Sequence, residues 1–268
     1  MKNETPSEEA PKTLEKVPKK TLYLTIGLVA IVLVSIVAFM YFMPTGEAVA
    51  VPLSMNYSVG ERITYNVTTL VSIPGVTNAV ITIMRMDVLS FDGSNYTIRY
   101  TIEMSGYPSF SFNITMNKSG YILNYTGLPP ELQNLYSTLV GLPGYGAYFP
   151  KEEAKVGESW SVPIDVNMSG GRIVGTVNYG IGGVENKTFS GIGGRRVFKI
   201  TVSANNIQGT FTSDGTTNSF TLSLNGYIYM EYGTCLPIAS SIQETVTTSS
   251  NDQLSVNIEM RLIQHVKP

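Results

Sequence analysis

The chain is poor in the side chains that do chemistry. It holds one cysteine, Cys235, and one histidine, His265. A lone cysteine excludes an intrachain disulfide, and the expectation is a buried free thiol that packs as a small hydrophobe. Zinc, copper, haem and iron–sulfur sites need clusters of Cys and His that this sequence lacks, so no metal or other cofactor is expected. A Ser-His-Asp or Cys-His triad would have to use His265, close to an end expected to fray. A carboxylate pair is the remaining catalytic chemistry, and Glu152, Glu153, Asp165 and Glu185 qualify by residue type alone. Surface charge explains them more simply. The reading is therefore of a protein that is not an enzyme.

Charge is also scarce. Charged residues make up 14% of the chain, and the formal net charge is −2. The densest basic spot is Arg195-Arg196 with Lys199, read as a solvated strand end. Without a basic patch interleaved with aromatics, nucleic acid is not an expected partner.

Charge is absent altogether from Thr21 to Gly46. From Leu22 to Met43 nearly every side chain is apolar, and at about 1.5 Å per residue the run covers roughly 33 Å, enough for a bilayer core. Tyr23 stands at one end and Tyr41 and Phe42 at the other, where aromatic rings favour the interface. Lys2, Lys12, Lys16, Lys19 and Lys20 precede the run, and the first basic residue after it is Arg62. The positive-inside rule puts the N-terminus in the cytosol and the C-terminal bulk outside. Two readings compete: a retained signal-anchor, and a signal peptide cleaved after Ala48-Val49-Ala50. The length of the run favours the anchor. The expected organisation is a disordered cytosolic tail (1–20), a single-pass segment contacting the lipid bilayer (21–43), a linker (44–55) and an extracytoplasmic β domain (56–268).

Strict alternation marks that domain. Tyr96, Ile98, Tyr100, Ile102 and Met104 alternate with Asn95, Thr97, Arg99, Thr101 and Glu103. Phe110, Phe112, Ile114 and Met116 alternate with Ser111, Asn113 and Thr115. Period two of this kind means half-buried strands. Similar runs occur near 61–72, 79–90, 159–166, 172–179, 195–204, 218–232, 236–247 and 253–264. Asp92-Gly93, Ser119-Gly120, Gly170-Gly171, Asp214-Gly215 and Asn225-Gly226 carry turn chemistry, the last alternatively a bulge or bend in a long strand. One helix, 130–140, is expected from Pro129-Pro130 and the stripe Leu132, Leu135, Tyr136, Leu139 and Val140. The apolar loop 142–150 follows it, a cover for the sheet face or a lid over a cavity. The fold class is mostly β, with one short helix packed on a large curved antiparallel sheet.

Two short segments recur. Val59-Gly60-Glu61 reappears as Val156-Gly157-Glu158, each opening a strand. Gly180-Ile181-Gly182-Gly183 reappears as Gly191-Ile192-Gly193-Gly194, read as the tight ends of a hairpin rather than a phosphate loop.

Together with Gly193-Gly194-Arg195-Arg196-Val197-Phe198 and the late Gly233-Thr234-Cys235-Leu236-Pro237, this order resembles a class of secreted β proteins related to the LolA/LppX-like half-barrels. The general style also resembles archaeal single-pass surface proteins. The first resemblance implies a curved antiparallel sheet with a helix against its concave face, where the carriers of that class hold lipid. A hydrophobic-ligand face would comprise Tyr96, Ile98, Tyr100, Phe110 and Phe112 of the sheet, Leu135 of the helix, and Tyr145 and Tyr148 of the loop.

Eight Asn-x-Ser/Thr sequons follow the apolar run: Asn56, Asn66, Asn95, Asn113, Asn117, Asn124, Asn167 and Asn186. They predict a glycan-coated exterior, since the acceptor Asn and its hydroxyl partner share one strand face. A surface of Thr, Ser, Asn and Tyr barely changes charge with pH and suits an acidic exterior. The leading reading is a membrane-anchored surface glycoprotein that binds an envelope partner. The alternative is a lipid binder.

Overall fold

The computed structural model describes residues 50–120, 122–128, 152–168, 171–213, 216–250 and 252–268. The expected tail, the segment 21–43, the helix 130–140 and the loop 142–150 lie outside the described residues. Among the described residues no helix is long and apolar enough to cross a membrane.

Thirteen strands account for most of the described chain. They are β1 (Ala50–Pro52), β2 (Arg62–Ile73), β3 (Val76–Phe91), β4 (Asn95–Met104), β5 (Phe110–Asn117), β6 (Ile122–Thr126) and β7 (Glu153–Lys155). The series continues with β8 (Ser159–Met168), β9 (Gly171–Phe189), β10 (Gly193–Ser213), β11 (Thr216–Glu231), β12 (Pro237–Thr248) and β13 (Gln253–Val266). Alternation sets their faces as expected: in β4, Tyr96, Ile98, Tyr100 and Ile102 are buried while Arg99 and Glu103 are exposed.

Eleven strands form one sheet in the order β6-β5-β4-β3-β2-β13-β12-β11-β10-β9-β8. All of its pairings are antiparallel. Each half is a simple meander, and the halves join where β2 lies beside β13, with Ser72 opposite Ser255 and Arg62 opposite Val266. A small second sheet pairs β1 with β7.

The large sheet is strongly curled. Met55 N–H donates to the Lys118 carbonyl (2.8 Å), and the next N–H, of Asn56, donates to the Thr234 carbonyl (3.2 Å). Those carbonyls are therefore within about 10 Å of each other. Lys118 follows β5 and Thr234 precedes β12, five strand spacings apart, which in a flat sheet is about 24 Å. Only curling brings them together. The inner face is filled by a continuous apolar core that runs from Ile122 on β6 to Val162 on β8.

The tie also revises a boundary. Residues 50–55, expected within a linker, belong to the domain: Val51 and Leu53 are fully buried and Leu53 N–H donates to the Glu152 carbonyl. Their apolar side chains alternate, as a strand requires.

The recurring Val-Gly-Glu segments are a structural repeat. Gly60 N–H donates to the Val88 carbonyl (2.8 Å) and Val88 N–H to that of Glu61 (2.9 Å). Likewise Gly157 N–H donates to the Ile181 carbonyl (2.9 Å) and Ile181 N–H to that of Glu158 (3.3 Å). Both glycines have φ near +90°, a conformation that side-chain-bearing residues avoid. In both halves a β-bulge follows at once, at Leu89 and at Gly182. The Gly180–Gly183 segment is thus part of strand β9 and not a hairpin end, whereas Gly191 and Gly193 do turn the chain. Asn225-Gly226 makes no turn. Gly226 lies within β11 because a Cβ there would meet the Ser241 carbonyl oxygen at 2.4 Å and Ile242 Cα at 2.7 Å.

Candidate functional site

Of the residues named for a ligand face, Tyr96, Ile98, Tyr100, Phe110 and Phe112 share the inner face of the sheet, against the core. Tyr100 and Phe112 are register partners with rings stacked at 5.6 Å, and Phe91 stacks on Tyr96 at 4.4 Å. Tyr96, Ile98, Tyr100 and Phe112 are buried and Phe110 is half-buried. The Tyr96 hydroxyl donates to the Met55 carbonyl (3.2 Å) and accepts from Tyr57 N–H (3.3 Å). It thereby fastens the N-terminal segment across the curl. Burial raises the phenol pKa values of Tyr57, Tyr65 and Tyr100 above the ordinary range, so these rings stay neutral. Leu135, Tyr145 and Tyr148 lie outside the described residues.

His265 does not fray. It is paired in β13 opposite Ile63, and its Nε2 contacts the Glu61 carboxylate, both side chains being 4% exposed. The other Glu61 oxygen accepts Ser58 N–H at 2.6 Å. Register with β2 extends the last strand almost to the C-terminus, which position in the sequence does not reveal. Among the described residues, no hydroxyl or thiol bonds to the His265 ring, so the pair ties β13 to the start of β2 without forming a triad.

The sequence-selected carboxylates stand apart. Asp165 accepts a two-pronged contact from Arg172 (2.7 and 2.6 Å), which holds its carboxyl below the usual range. Glu185 lies 3.8 Å from Lys187, and Glu152 and Glu153 are exposed. The carboxyl that does depart from its ordinary chemistry is Glu244, which sequence reasoning missed. It projects from β12 into the core with Ile242 and Val246, and its register partners are Leu224 and Val256. It is 1% exposed, Oε1 has no hydrogen-bond partner among the described residues, and burial pushes its pKa up to about 8. The signal was present, since a glutamate stood in the apolar phase of an alternating run.

Cys235 is a buried free thiol with φ of 52°, and its Sγ lies 3.1 Å from the Pro52 carbonyl oxygen. Among the described residues no group of three or more His, Cys, Asp or Glu could hold a metal ion.

The sequon asparagines on β2, β4 and β5 occupy the outward phase of their strands. Asn56, Asn124 and Asn186 are exposed, and Asn66, Asn95, Asn113 and Asn117 are half-buried. Asn167 lies on β8. Asn95 and Asn117 are directly opposite each other, and Asn95 Nδ2, the atom a glycan would occupy, donates to Asp92 (3.1 Å). Asn117 Oδ1 accepts from Ser119 Oγ (2.9 Å), its own sequon hydroxyl.

An open cleft of about 530 Å³ lies on the outward face of β9–β12, lined by Arg172, Gln208, Thr210, Ser219, Thr221 and Thr247 among others. It offers hydroxyls and backbone, and its one cation is already tied to Asp165.

No protein family matches the chain, and no curated protein does. Among solved structures the chain is similar to a candidate lipoprotein from Parabacteroides distasonis ATCC 8503, at 11% identity and a TM-score of 0.37. That likeness covers 81% of this chain and 99% of the other. It is also similar to DynF from the dynemicin biosynthesis pathway of Micromonospora chersina, at 8% identity and a TM-score of 0.24, covering 84% of this chain and 90% of the other.

Proposed function

We propose that this chain is a single-pass membrane protein whose β domain lies outside the cytoplasm and acts as a non-enzymatic binding or structural module of the cell envelope. The observation that carries this reading is the uncharged run 21–46 behind a lysine-rich tail, followed by a domain whose outward strand faces bear Asn-x-Ser/Thr acceptors. Low charge and a continuous apolar core support a module that works by contact. In this reading the exposed Asn56 and Asn124 are the first acceptors to be modified, and Asn95, whose amide is engaged by Asp92, is the last.

Protease applied to intact cells tests the topology. Digestion of the β domain, with the lysine tail cut only after the membrane is opened, is the expected pattern. A domain that is protected in intact cells, or a soluble cytosolic pool of full-length chain, refutes it. Glycopeptide mass spectrometry then reads the acceptors.

A second reading is favoured by the curl of the eleven-stranded sheet and its aromatic inner face. We read this as a half-barrel of the LolA/LppX-like kind, in which an apolar ligand enters against Tyr100, Phe110 and Phe112. Mass spectrometry of organic extracts of the purified protein decides it. Recovery of a stoichiometric lipid supports the reading, and extracts free of lipid end it.

A further inference from the structure

The Arg195-Arg196 spot sits on a projecting hairpin. β9 and β10 stay paired out to Phe189 opposite Gly193, whereas β11 ends with Glu231 opposite Val197 and β8 begins with Ser159 opposite Gly180. The tip therefore stands about 13 Å beyond β11. Between Gly183 and Lys199 the chain carries Lys187, Arg195, Arg196 and Lys199 against the single acid Glu185. Lys187 and Arg195 are direct cross-strand partners, an arrangement that repels unless counter-charge is supplied. Glu231 supplies part of it, 2.9 Å from Arg195. Lys187 lies 3.8 Å from Glu185 and donates to the Tyr229 hydroxyl (3.1 Å), and all three remaining cations also sit over aromatic rings. Lys187 Nζ is 4.5 Å from the Tyr229 ring, Arg196 is 4.2 Å from that of Tyr232, and Lys199 is 4.8 Å from that of Tyr227.

This cluster abuts the point where the chain enters the domain. The Tyr232 hydroxyl, under Arg196, donates to the Ala50 carbonyl (2.8 Å). From Met43 to Ala50 the chain spans at most about 24 Å.

We propose that the β9–β10 hairpin seats the domain on an anionic lipid surface, with Lys187, Arg195, Arg196 and Lys199 meeting headgroup oxygens. The seat rests on the membrane anchor proposed above for residues 21–43. Guanidinium forks suit phosphate oxygens, and tyrosine rings beneath cations suit the interfacial layer. Juxtamembrane cations act only within about a Debye length of the surface, which the short connection to Met43 permits. Asn186 stands directly opposite Arg196, and a glycan there would lift the hairpin, so this acceptor is expected bare.

The test uses the full chain in vesicles that carry a headgroup quencher, with a fluorophore on Ser190→Cys at the hairpin turn or on Thr45→Cys beside the anchor. Quenching at Ser190→Cys in phosphatidylglycerol vesicles, with loss in phosphatidylcholine alone, in high salt, or in the Arg195→Gln/Arg196→Gln/Lys199→Gln variant, is the expected result. Quenching at Thr45→Cys with none at Ser190→Cys in either lipid overturns the seat and leaves the anchor standing. No quenching at Thr45→Cys sinks the anchor and the seat with it. A glycan found on Asn186 also counts against the seat.

Discussion

Glu244 gives this domain an alkaline weakness, and its size follows from burial. An ionised carboxylate here would have Leu224, Val256, Ile242 and Val246 for neighbours and, among the described residues, no partner for Oε1. Its pKa is pushed from an ordinary 4.5 to about 8 in the folded state. Between those values the folded chain binds a proton that the unfolded chain releases, so stability falls as pH rises. Its contribution is fully present below about pH 4.5 and is lost as pH passes 8. At about 1.4 kcal/mol per pH unit, the loss is about 3 kcal/mol by pH 7 and about 5 kcal/mol above pH 8. For a domain of this size 3 kcal/mol lowers Tm by about 6–12 °C. Glu244→Gln keeps the shape and removes the proton. Thermal unfolding followed by circular dichroism from pH 4 to 9 should give equal Tm values for the two proteins near pH 4. They should diverge upward in pH, with the variant more stable. Parallel curves would refute the argument. On the acid side the carboxyls held low, Asp92 and Asp165, are fully exposed, so neither makes the fold acid-sensitive.

Three further substitutions probe the architecture. Gly226→Ala forces a methyl against the β12 backbone and should cost about 1–3 kcal/mol in a denaturant titration. Retained stability would mean that the strands separate freely there. Tyr96→Phe removes both hydrogen bonds of the N-terminal tie and should cost about 1–3 kcal/mol, with faster amide exchange at Tyr57 as its signature. Glu61→Gln and His265→Ala should each destabilise by about 3–5 kcal/mol, and the double variant by clearly less than their sum. Additive losses would show that the two side chains do not act as a pair.

Much of this fold is legible from side-chain phase alone. The alternation in β4 and β5 reports which side chains face in, because each residue there sits in a pleat with one wet side. The repeated Val-Gly-Glu was also readable, since only a glycine tolerates the turn that opens each half. Pairing between distant strands was not. Nothing local to 253–266 says that its partner is β2, and so His265 passed for a loose end. The curl was equally hidden, because it follows from hydrogen bonds at Met55 and Asn56 to carbonyls far away in sequence. Asn225-Gly226 stayed open between a turn and a long strand for a physical reason: the same missing side chain serves a turn or a close backbone approach. The site was legible in part. The shared phase of Tyr96, Ile98, Tyr100 and Phe112 was readable, whereas Glu244 was missed because its neighbours across the sheet were unknown.

The seam between β2 and β13 bears on how the molecule is born. While a ribosome still holds the fourteen residues of β13, each meander can pair with itself, but neither can close. Two raw borders, along β2 and β12, then face the surroundings with apolar flanks. Completion waits for β13 to slot between them, a long-range step that is slow by nature. Trimming that strand would not shorten the molecule at its margin. It would cut the keystone.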